Sequence, residues 1–230
     1  MHAPGRQPIA PSHPHGPLSR DPEPTGRGAL PATIEDLDLR QKRGLPGPAQ
    51  SRMNWVVIHP GLGERSQVLE LAQAEWVRRA LNTLVIGPTG VGKTFLACAL
   101  GQAACRQDFT VRYVRTSRLL HELKLAHADG SFPKLLRNLA RIKLLIFDDW
   151  LHDPLTPEQA RDLLEILDDR YGRSATLVAT QLPIPDWLAQ IPDPTLSDAI
   201  LDRLIHNAYR LELKGDSMRK IHSPLPTTTN

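Results

Sequence analysis

The sequence predicts an α/β fold in which one five-stranded parallel β-sheet carries helices on both faces. Five short aliphatic runs alternate along the chain with segments of helical periodicity, an order that is typical of a parallel sheet. The runs are almost continuously apolar, as expected for strands that are buried on both faces. A glycine-rich loop lies between the first run and the helix that follows it. The predicted strands are 83–86, 110–114, 143–149, 174–180 and 208–213.

The glycine-rich loop fits the phosphate-binding pattern G-x-x-x-x-G-K-[ST] and lies, as that pattern requires, between a strand and a helix. Glycines let backbone N–H groups close around phosphate oxygens, and the N-terminus of the helix adds its positive end. The lysine of this pattern reaches the outer phosphates, and the hydroxyl residue ligates Mg²⁺. We therefore predict that ATP and Mg²⁺ bind here, the alternative being a chance match in a glycine-containing turn. The loop residues are Gly87, Pro88, Thr89, Gly90, Val91, Gly92, Lys93 and Thr94.

Two carboxylates end the third predicted strand, which reads KLLIFDD. Open α/β sheets bind ligands at the carboxyl ends of their strands, so Asp148 is predicted to be the acid associated with Mg²⁺. Asp149 follows it and is predicted to orient the attacking water. The alternative for Asp149 is a turn or a helix cap, in which acidic residues are common.

Polar side chains also end the fourth predicted strand, where Thr180 and Gln181 are candidates for contact with the γ-phosphate or the attacking water. Ordinary turn chemistry at a strand end is the alternative. Arg203 lies on the charged face of the last predicted helix, together with Asp198 and Asp202. The residues alone leave two interpretations open for Arg203, a surface ion pair or an arginine that acts on the nucleotide of a neighbouring subunit.

Helix boundaries are predicted from apolar periodicity and from capping residues. Residues 156–159 read TPEQ, which combines a capping box with proline at the first helical position. The apolar face of the helix that starts there is predicted to extend to Tyr171. Ser117, Ser131 and Asp193 are predicted to open three other helices. The predicted helices are 69–80, 95–107, 117–128, 132–141, 157–171 and 193–206.

The composition argues against several classes of protein. No run approaches the ~20 apolar residues of a membrane-spanning helix, and the proline-rich N-terminus lacks the apolar core of a signal peptide. Cys98 and Cys105 lie on one predicted helix, which suits a reducing compartment better than a disulfide or a metal site. We therefore expect a cytoplasmic protein with no membrane partner.

The net charge of +3 and the pI of about 9.0 are compatible with nucleic-acid binding but do not require it. Basic residues are concentrated between the second and third predicted strands. This cluster is a candidate surface for the phosphate backbone of DNA, the alternative being an ordinary solvated face. Its members are Arg112, Arg115, Arg118, Lys124, Lys134, Arg137, Arg141 and Lys143.

Four regions are predicted along the chain. Residues 1–31 are rich in proline and poor in apolar residues, so we expect a disordered tail. Residues 32–68 are predicted to be a lead-in and an irregular insert. The nucleotide-binding domain is predicted over 69–222, and 223–230 is predicted to be a flexible tail.

In four segments the sequence resembles the IstB-type proteins, the ATPase helpers of insertion-sequence transposases. These belong to the AAA+ class of P-loop NTPases and are close to DnaC-type helicase loaders. The resemblance covers 69–220 well and 33–45 more loosely. The segments are GPTGVGKTFLACALGQAACR, YVRTSRLLHELKLAHADGSFPKLLRNLARIKLLIFDD, TLVATQLP and DAILDRLIHNAYRLELKGDSMRK.

This resemblance implies an ATPase that converts ATP to ADP and phosphate, assembles with copies of itself on duplex DNA when ATP is bound, and delivers a transposase to its target. It also implies that Lys93 and Thr94 contact phosphates and that Asp148 lies at Mg²⁺. Thr180 and Gln181 fall at the first sensor position of the family. Arg203 falls at its arginine finger, and Arg219 at a second sensor.

Three departures from the family pattern limit these expectations. Residues 1–31 do not resemble the helical N-terminal domain of family members, and 46–65 interrupt the family pattern. A truncated copy that only binds ATP, or a helicase-loader adaptor, are therefore alternatives to a transposition helper. Asp149 stands where many AAA+ proteins have glutamate, and its shorter side chain predicts slow hydrolysis.

Overall fold

The computed structural model describes residues 64–214, in which five parallel strands form one sheet with the order β2-β3-β4-β1-β5. This confirms the predicted parallel sheet and places β1, which leads into the glycine-rich loop, between β4 and β5. The predictions for 1–63 and 215–230, including Arg219, lie outside the described residues. The strands are β1 (Asn82–Ile86), β2 (Val111–Arg115), β3 (Leu144–Asp148), β4 (Ala175–Thr180) and β5 (Ala208–Glu212).

Helices cover both faces of the sheet, as predicted. Successive residues of a strand point to opposite faces, so Val85 packs with α1 to α3, while Leu84 and Ile86 pack with α4 to α8. No helix within 64–214 is both long and apolar enough to cross a bilayer. The helices are α1 (Glu64–Ala72), α2 (Glu75–Arg78), α3 (Lys93–Cys105), α4 (Thr116–Asp129), α5 (Phe132–Arg141), α6 (Pro157–Arg170), α7 (Trp187–Gln190) and α8 (Pro194–Ile205).

The single helix predicted over 69–80 is wrong, because the chain breaks between α1 and α2 at Ala74, which has a left-handed φ of 51°. Trp76 explains the break. Its ring is buried, and its indole N–H donates over 2.9 Å to the carbonyl of Leu71, which also accepts the backbone N–H of Ala74 at the end of α1. Leu69, the first residue of that predicted helix, lies within α1 and is 41% exposed.

Two of the predicted helix starts are confirmed in full. Thr156 and Gln159 form the reciprocal capping box at the start of α6, and Asp193 accepts the N–H groups of Thr195 and Leu196 at the start of α8. The first turn of α6 is therefore fixed by local sequence, as the capping pattern predicted.

The predicted cap at Ser117 is wrong, because β2 runs directly into α4, which begins at Thr116. Ser131 does occupy the position before α5, but its side chain makes no capping bond. Tyr171 ends α6 with 42% of its surface exposed, so the predicted apolar face stops at Leu167. The sequence analysis also missed α7, which places Trp187 in the core beneath Trp150.

The buried guanidinium of Arg170 joins the ends of three elements. It is 1% exposed, and it donates to the carbonyls of Leu139 and Ile142 over 2.7 and 2.8 Å, to the carbonyl of Ala175, and to the hydroxyl of Thr176 over 3.2 Å. Burial lowers its pKa to about 10. Arg170 thus satisfies carbonyls at the end of α5 and at the start of β4.

We expect Arg170→Met to lower the free energy of unfolding by about 2 kcal/mol or more, because three carbonyls lose a charged donor. Urea denaturation of the full chain measures this difference. Arg161→Met is the matched control, since Arg161 is exposed on the same helix. Equal stability of the two variants would contradict this role for Arg170.

Candidate nucleotide-binding site

The glycine-rich loop connects the central strand β1 to α3, which begins at Lys93. Gly90 and Gly92 have φ values of 85° and 100°, a left-handed region that other residues rarely adopt. Gly92 precedes α3, and no side chain caps this helix. The first N–H groups of α3 are therefore available to an anion, which fits a triphosphate.

The start of the loop is held between two strand ends. Gly87 donates its N–H to the carbonyl of Thr180 at the end of β4, and Leu213 donates to the carbonyl of Ile86 over 2.7 Å. A Cβ atom on Gly87 would lie 2.3 Å from the carbonyl oxygen of Leu213. Glycine is therefore required at the first position of the loop by close backbone approach, and not by an unusual φ value.

Lys93 is only 9% exposed, and its Nζ donates to the carbonyl of Pro88 over 2.9 Å. The ammonium group thus folds back over the loop that it follows. This places a positive charge within the turn that the pattern assigns to the outer phosphates.

The hydroxyl of Thr94 and the carboxylate of Asp148 are in direct contact. Thr94 Oγ1 lies 2.9 Å from Oδ2 and 3.2 Å from Oδ1 of Asp148, and Asp148 is 1% exposed. A hydroxyl and a carboxylate are hard oxygen ligands of the kind that Mg²⁺ prefers. The structure therefore brings together the two predicted metal-associated residues, and their donor set fits this ion.

Tyr113 and Thr116 hold Asp148 from the side of β2. The Tyr113 hydroxyl donates to Asp148 Oδ2 over 2.6 Å, and the Thr116 hydroxyl donates to the Asp148 carbonyl over 3.1 Å. Burial, and then the hydrogen bond to Asp148, raise the pKa of Tyr113, so its hydroxyl keeps its proton and remains a donor. The sequence analysis missed Tyr113, because only the order of the strands places β2 beside β3.

Cys98 lies near the same carboxylate, on α3. Burial, followed by the charge of Asp148, raises the pKa of Cys98 to about 11. The thiol is therefore neutral at physiological pH, and the described structure pairs neither Cys98 nor Cys105 in a disulfide. No group of His, Cys, Asp and Glu residues within 64–214 has the arrangement of a metal site built from such side chains.

Asp149 follows the buried Asp148, and its own side chain is exposed. It has a left-handed φ of 54°, and its carboxylate lies 3.8 Å from Nε of Arg115 at the start of α4. The pKa of Arg115 is raised by its hydrogen bond with Tyr113 and by the charge of Asp149. Asp149 also lines a cavity of about 260 Å³ between α4 and the segment after β3, which gives a water room beside it.

At the end of β4 the structure separates the two predicted polar residues. Thr180 is fully buried, and its hydroxyl donates to the carbonyl of Trp150 over 2.8 Å and accepts the N–H of Leu182 over 3.1 Å. Gln181 is exposed, and its Oε1 accepts the hydroxyl of Thr89 in the phosphate loop over 2.7 Å. Gln181 is therefore the residue of this pair that reaches the predicted nucleotide site.

Arg203 lies on α8 and forms an ion pair with α6. Its Nε lies 2.7 Å from Asp168 Oδ1, its Nη1 lies 3.2 Å from Asp202 Oδ2, and its guanidinium lies 6.0 Å from the ring centre of Tyr171. Asp168 was not among the partners considered from sequence, because it lies on another helix. These contacts join Arg203 to its own subunit's surface and not to the phosphate loop.

The predicted basic cluster is divided in the structure. Arg112 pairs with Glu122 over 2.6 Å, and Arg115 lies beside Asp149. Arg118 and Lys124 are exposed on α4, and the other four residues form an exposed row on and after α5, opposite the buried Leu136 and Leu139. This basic row, as we call it, consists of Lys134, Arg137, Arg141 and Lys143.

Sequence comparison identifies relatives of this chain. The profile of the family described as IstB-like ATP binding protein matches residues 57–225. A protein of Sinorhizobium fredii named as the insertion-sequence ATP-binding protein y4pL is 44% identical over 82% of this chain and 70% of its own length. The ATP-binding protein named for insertion sequence IS1162 of Pseudomonas fluorescens is 43% identical over 66% of this chain and 58% of its own length.

Comparison with solved structures shows the same fold in DnaI and in the DnaC helicase loader. DnaI superimposes with a TM-score of 0.64 and 18% identity, over 82% of this chain and 94% of that chain. The DnaC helicase loader superimposes with a TM-score of 0.55 and 20% identity, over 68% of this chain and 93% of that chain. At this identity the likeness shows the fold, which is that of the AAA+ class of P-loop proteins.

We expect Tyr113→Phe to raise the Mg²⁺ concentration needed for half-maximal nucleotide binding by about tenfold, because Asp148 loses the donor that orients it. A Mg²⁺ titration with a fluorescent ATP analogue measures this shift. Tyr209→Phe is the control, since it removes a hydroxyl from β5, three strands away from Asp148. An unchanged titration for Tyr113→Phe would show that its hydroxyl does not orient Asp148.

Proposed function

The chain belongs to the family of IstB-like ATP-binding proteins, and we propose that it is an ATP-hydrolysing helper of an insertion-sequence transposase that assembles on DNA when ATP is bound. The observation that carries this proposal is the contact between Thr94 and Asp148 beside the phosphate loop. A hydroxyl at the start of α3 and a buried carboxylate at the end of β3 fit nucleotide chemistry. Packing alone does not require these two polar groups at that position.

The residues of the site would have separate roles in phosphoryl transfer. Lys93 and the N–H groups of the loop would bind the phosphates, and Thr94 and Asp148 would hold Mg²⁺. When bound, Mg²⁺ neutralises charge on the phosphate oxygens. Asp149 would accept a proton from the attacking water, and the Gln181 amide would orient that water or the terminal phosphate. Because Asp149 has a shorter side chain than glutamate, we expect slow turnover.

Arg203 is proposed to act on the nucleotide of a neighbouring subunit. To do so it would exchange Asp168 and Asp202 for phosphate oxygens, and its partly exposed position on α8 permits this exchange. A guanidinium that meets charge developing in the transition state accelerates hydrolysis and adds little to ground-state binding. A permanent surface ion pair with Asp168 is the competing interpretation.

DNA contact is proposed for the basic row on α5. Lys134, Arg137 and Arg141 are exposed on α5 and Lys143 is exposed just after it, and none of the four is an arginine that pairs with Glu122 or Asp149. Contacts of this kind bind phosphates without reading sequence.

A transposase, and not a replicative helicase, is proposed as the protein partner. The relatives above 40% identity are named for insertion sequences, whereas the likeness to helicase loaders lies at 18 to 20% identity and concerns the fold. The proposal also places the protein in the cytoplasm, where insertion-sequence DNA is accessible.

The proposal is tested by measuring DNA binding with ATP, with ADP and without nucleotide, followed by electron microscopy for rings or filaments. We expect tight binding to unrelated duplexes only with ATP and Mg²⁺. Lys93→Ala removes the charge on the outer phosphates and should lose both ATP affinity and ATP-dependent DNA binding. DNA binding that is equal with ATP, with ADP and without nucleotide would contradict the proposal. An ATP affinity that is unchanged in Lys93→Ala would also contradict it.

The same assay tests the basic row through its salt dependence. If four phosphate contacts release counterions, affinity should fall by about a hundredfold between about 50 and about 200 mM salt. Replacing Lys134, Arg137 and Arg141 with Gln should reduce the salt slope by about three, whereas Arg161→Gln on α6 should leave it unchanged. A slope that the triple variant does not change would place the DNA contact elsewhere.

Arg203→Ala is expected to bind ATP within about twofold of wild type and to lose hydrolysis by about 10³-fold. Mixing Arg203→Ala with Lys93→Ala should restore part of the activity, because an intact phosphate loop of one chain can meet an intact Arg203 of another. Steady-state phosphate release measures both effects. An inactive mixture of variants that still assemble, or full activity of dilute monomer, would favour the surface ion pair.

A further inference from the structure

A histidine outside every predicted site contacts the residue that reaches the phosphate loop. His152 lies in the segment between β3 and α6, and its Nδ1 lies 3.0 Å from Nε2 of Gln181. We propose that His152 is a positioning residue that fixes the orientation of the Gln181 amide at the nucleotide. This assignment rests on the proposed hydrolysis, in which Gln181 faces the attacking water or the terminal phosphate.

The amide of Gln181 makes two hydrogen bonds and has one orientation in the structure. Oε1 accepts the hydroxyl of Thr89, so Nε2 is the atom that faces His152 and donates to its Nδ1. An amide nitrogen carries two protons, and His152 takes one of them. The other is left for a phosphate oxygen or a water. Gln181 therefore keeps a second N–H, which is a donor of the kind that binds an anion.

The reverse orientation needs a different histidine. If the amide turned over, Oε1 would face His152, and Nδ1 would have to carry a proton. The neutral ring with its proton on Nε2 is the form that supports the observed orientation. The tautomer of His152 therefore determines the orientation of the Gln181 amide, and the reverse also holds.

The backbone holds His152 in place through Trp150. The Trp150 ring is fully buried between Phe147 and Trp187, and the backbone N–H of Trp150 donates to the Ala179 carbonyl over 3.0 Å. Leu151, the next residue, is buried with a left-handed φ of 52°. This conformation turns the chain back, so that the exposed side chain of His152 meets the end of β4.

The other half of the contact is fixed at Thr180. Its hydroxyl joins the carbonyl of Trp150 to the N–H of Leu182, and so holds the backbone on both sides of Gln181. The side chain of Gln181 is nevertheless exposed and long, and such side chains lose much rotamer freedom when they are ordered. His152 and Thr89 are the two partners that limit this freedom within the described structure.

The contact is tested first without nucleotide, on the full chain labelled with ¹⁵N. Correlations between ring protons and nitrogens report the tautomer of His152. We expect the tautomer with the proton on Nε2 in wild type and a mixture of both tautomers in Gln181→Ala. A wild-type mixture that Gln181→Ala does not change would overturn the contact, whatever the result for hydrolysis.

Kinetics then test the positioning role. His152→Phe keeps a ring but removes the acceptor, so kcat should fall by about fivefold while the Kd for ATP stays within about twofold. His152→Asn restores an acceptor at a similar distance from the backbone and should retain most of the wild-type kcat. His121→Phe is the matched control. His121 is an exposed histidine on α4 that lines the cavity beside Asp149, as His152 does, and no hydrogen bond joins it to Gln181 within the described structure.

A double-mutant cycle separates positioning from loop structure. In the Gln181→Ala background, His152→Phe should cause no further loss of kcat, because the group that it positions is absent. An equal loss in both backgrounds, or no recovery in His152→Asn, would overturn the positioning role. If assembled wild type hydrolyses no ATP at all, the proposed function fails, while the tautomer measurement still decides whether His152 and Gln181 are joined.

Discussion

The buried carboxylate of Asp148 is the constraint on which the site depends. A carboxylate that is 1% exposed must be matched by donors, because burial without hydrogen bonds costs several kcal/mol. Thr94 from α3 and Tyr113 from β2 supply them, and Thr116 at the start of α4 binds the backbone of the same residue. Asp148, through its side chain and its backbone carbonyl, thereby fixes the relative positions of four elements. The phosphate loop is placed beside β3 by the same contacts that would hold a metal ion.

Trp150 has a similar role for the groups that would act on water. Its ring is buried in the core, while its backbone is bonded to Ala179 and Thr180 at the end of β4. The neighbours on either side, Asp149 and Leu151, adopt left-handed conformations that cost about 1 kcal/mol or more each. Packing of the indole ring offsets this cost. The strained backbone turns Asp149 toward α4 and the following segment toward Gln181.

The face built by α6 and α8 is separate from the phosphate loop and carries Arg203. There the guanidinium has two carboxylate partners of its own subunit, Asp168 and Asp202. Both partners are about half exposed, and exposed ion pairs of this kind contribute about 1 kcal/mol or less. Arg203 can therefore exchange these two ion pairs for contacts with a more highly charged group at little cost in stability.

The sequence by itself determined the features that depend on neighbours in the chain. The phosphate loop, the alternation of apolar strands with helices along the chain, the capping box at Thr156 and the cap at Asp193 follow from local patterns, and each is observed as predicted. Only the tertiary structure decided which distant groups meet. Tyr113 and His152 were missed, and Asp168 was not considered, because their partners lie on other strands and helices. The break at Ala74 was missed for the same reason, since burial of Trp76 outweighs helical periodicity there. Hydrogen bonds between elements depend on strand order and packing, which periodicity and capping do not encode.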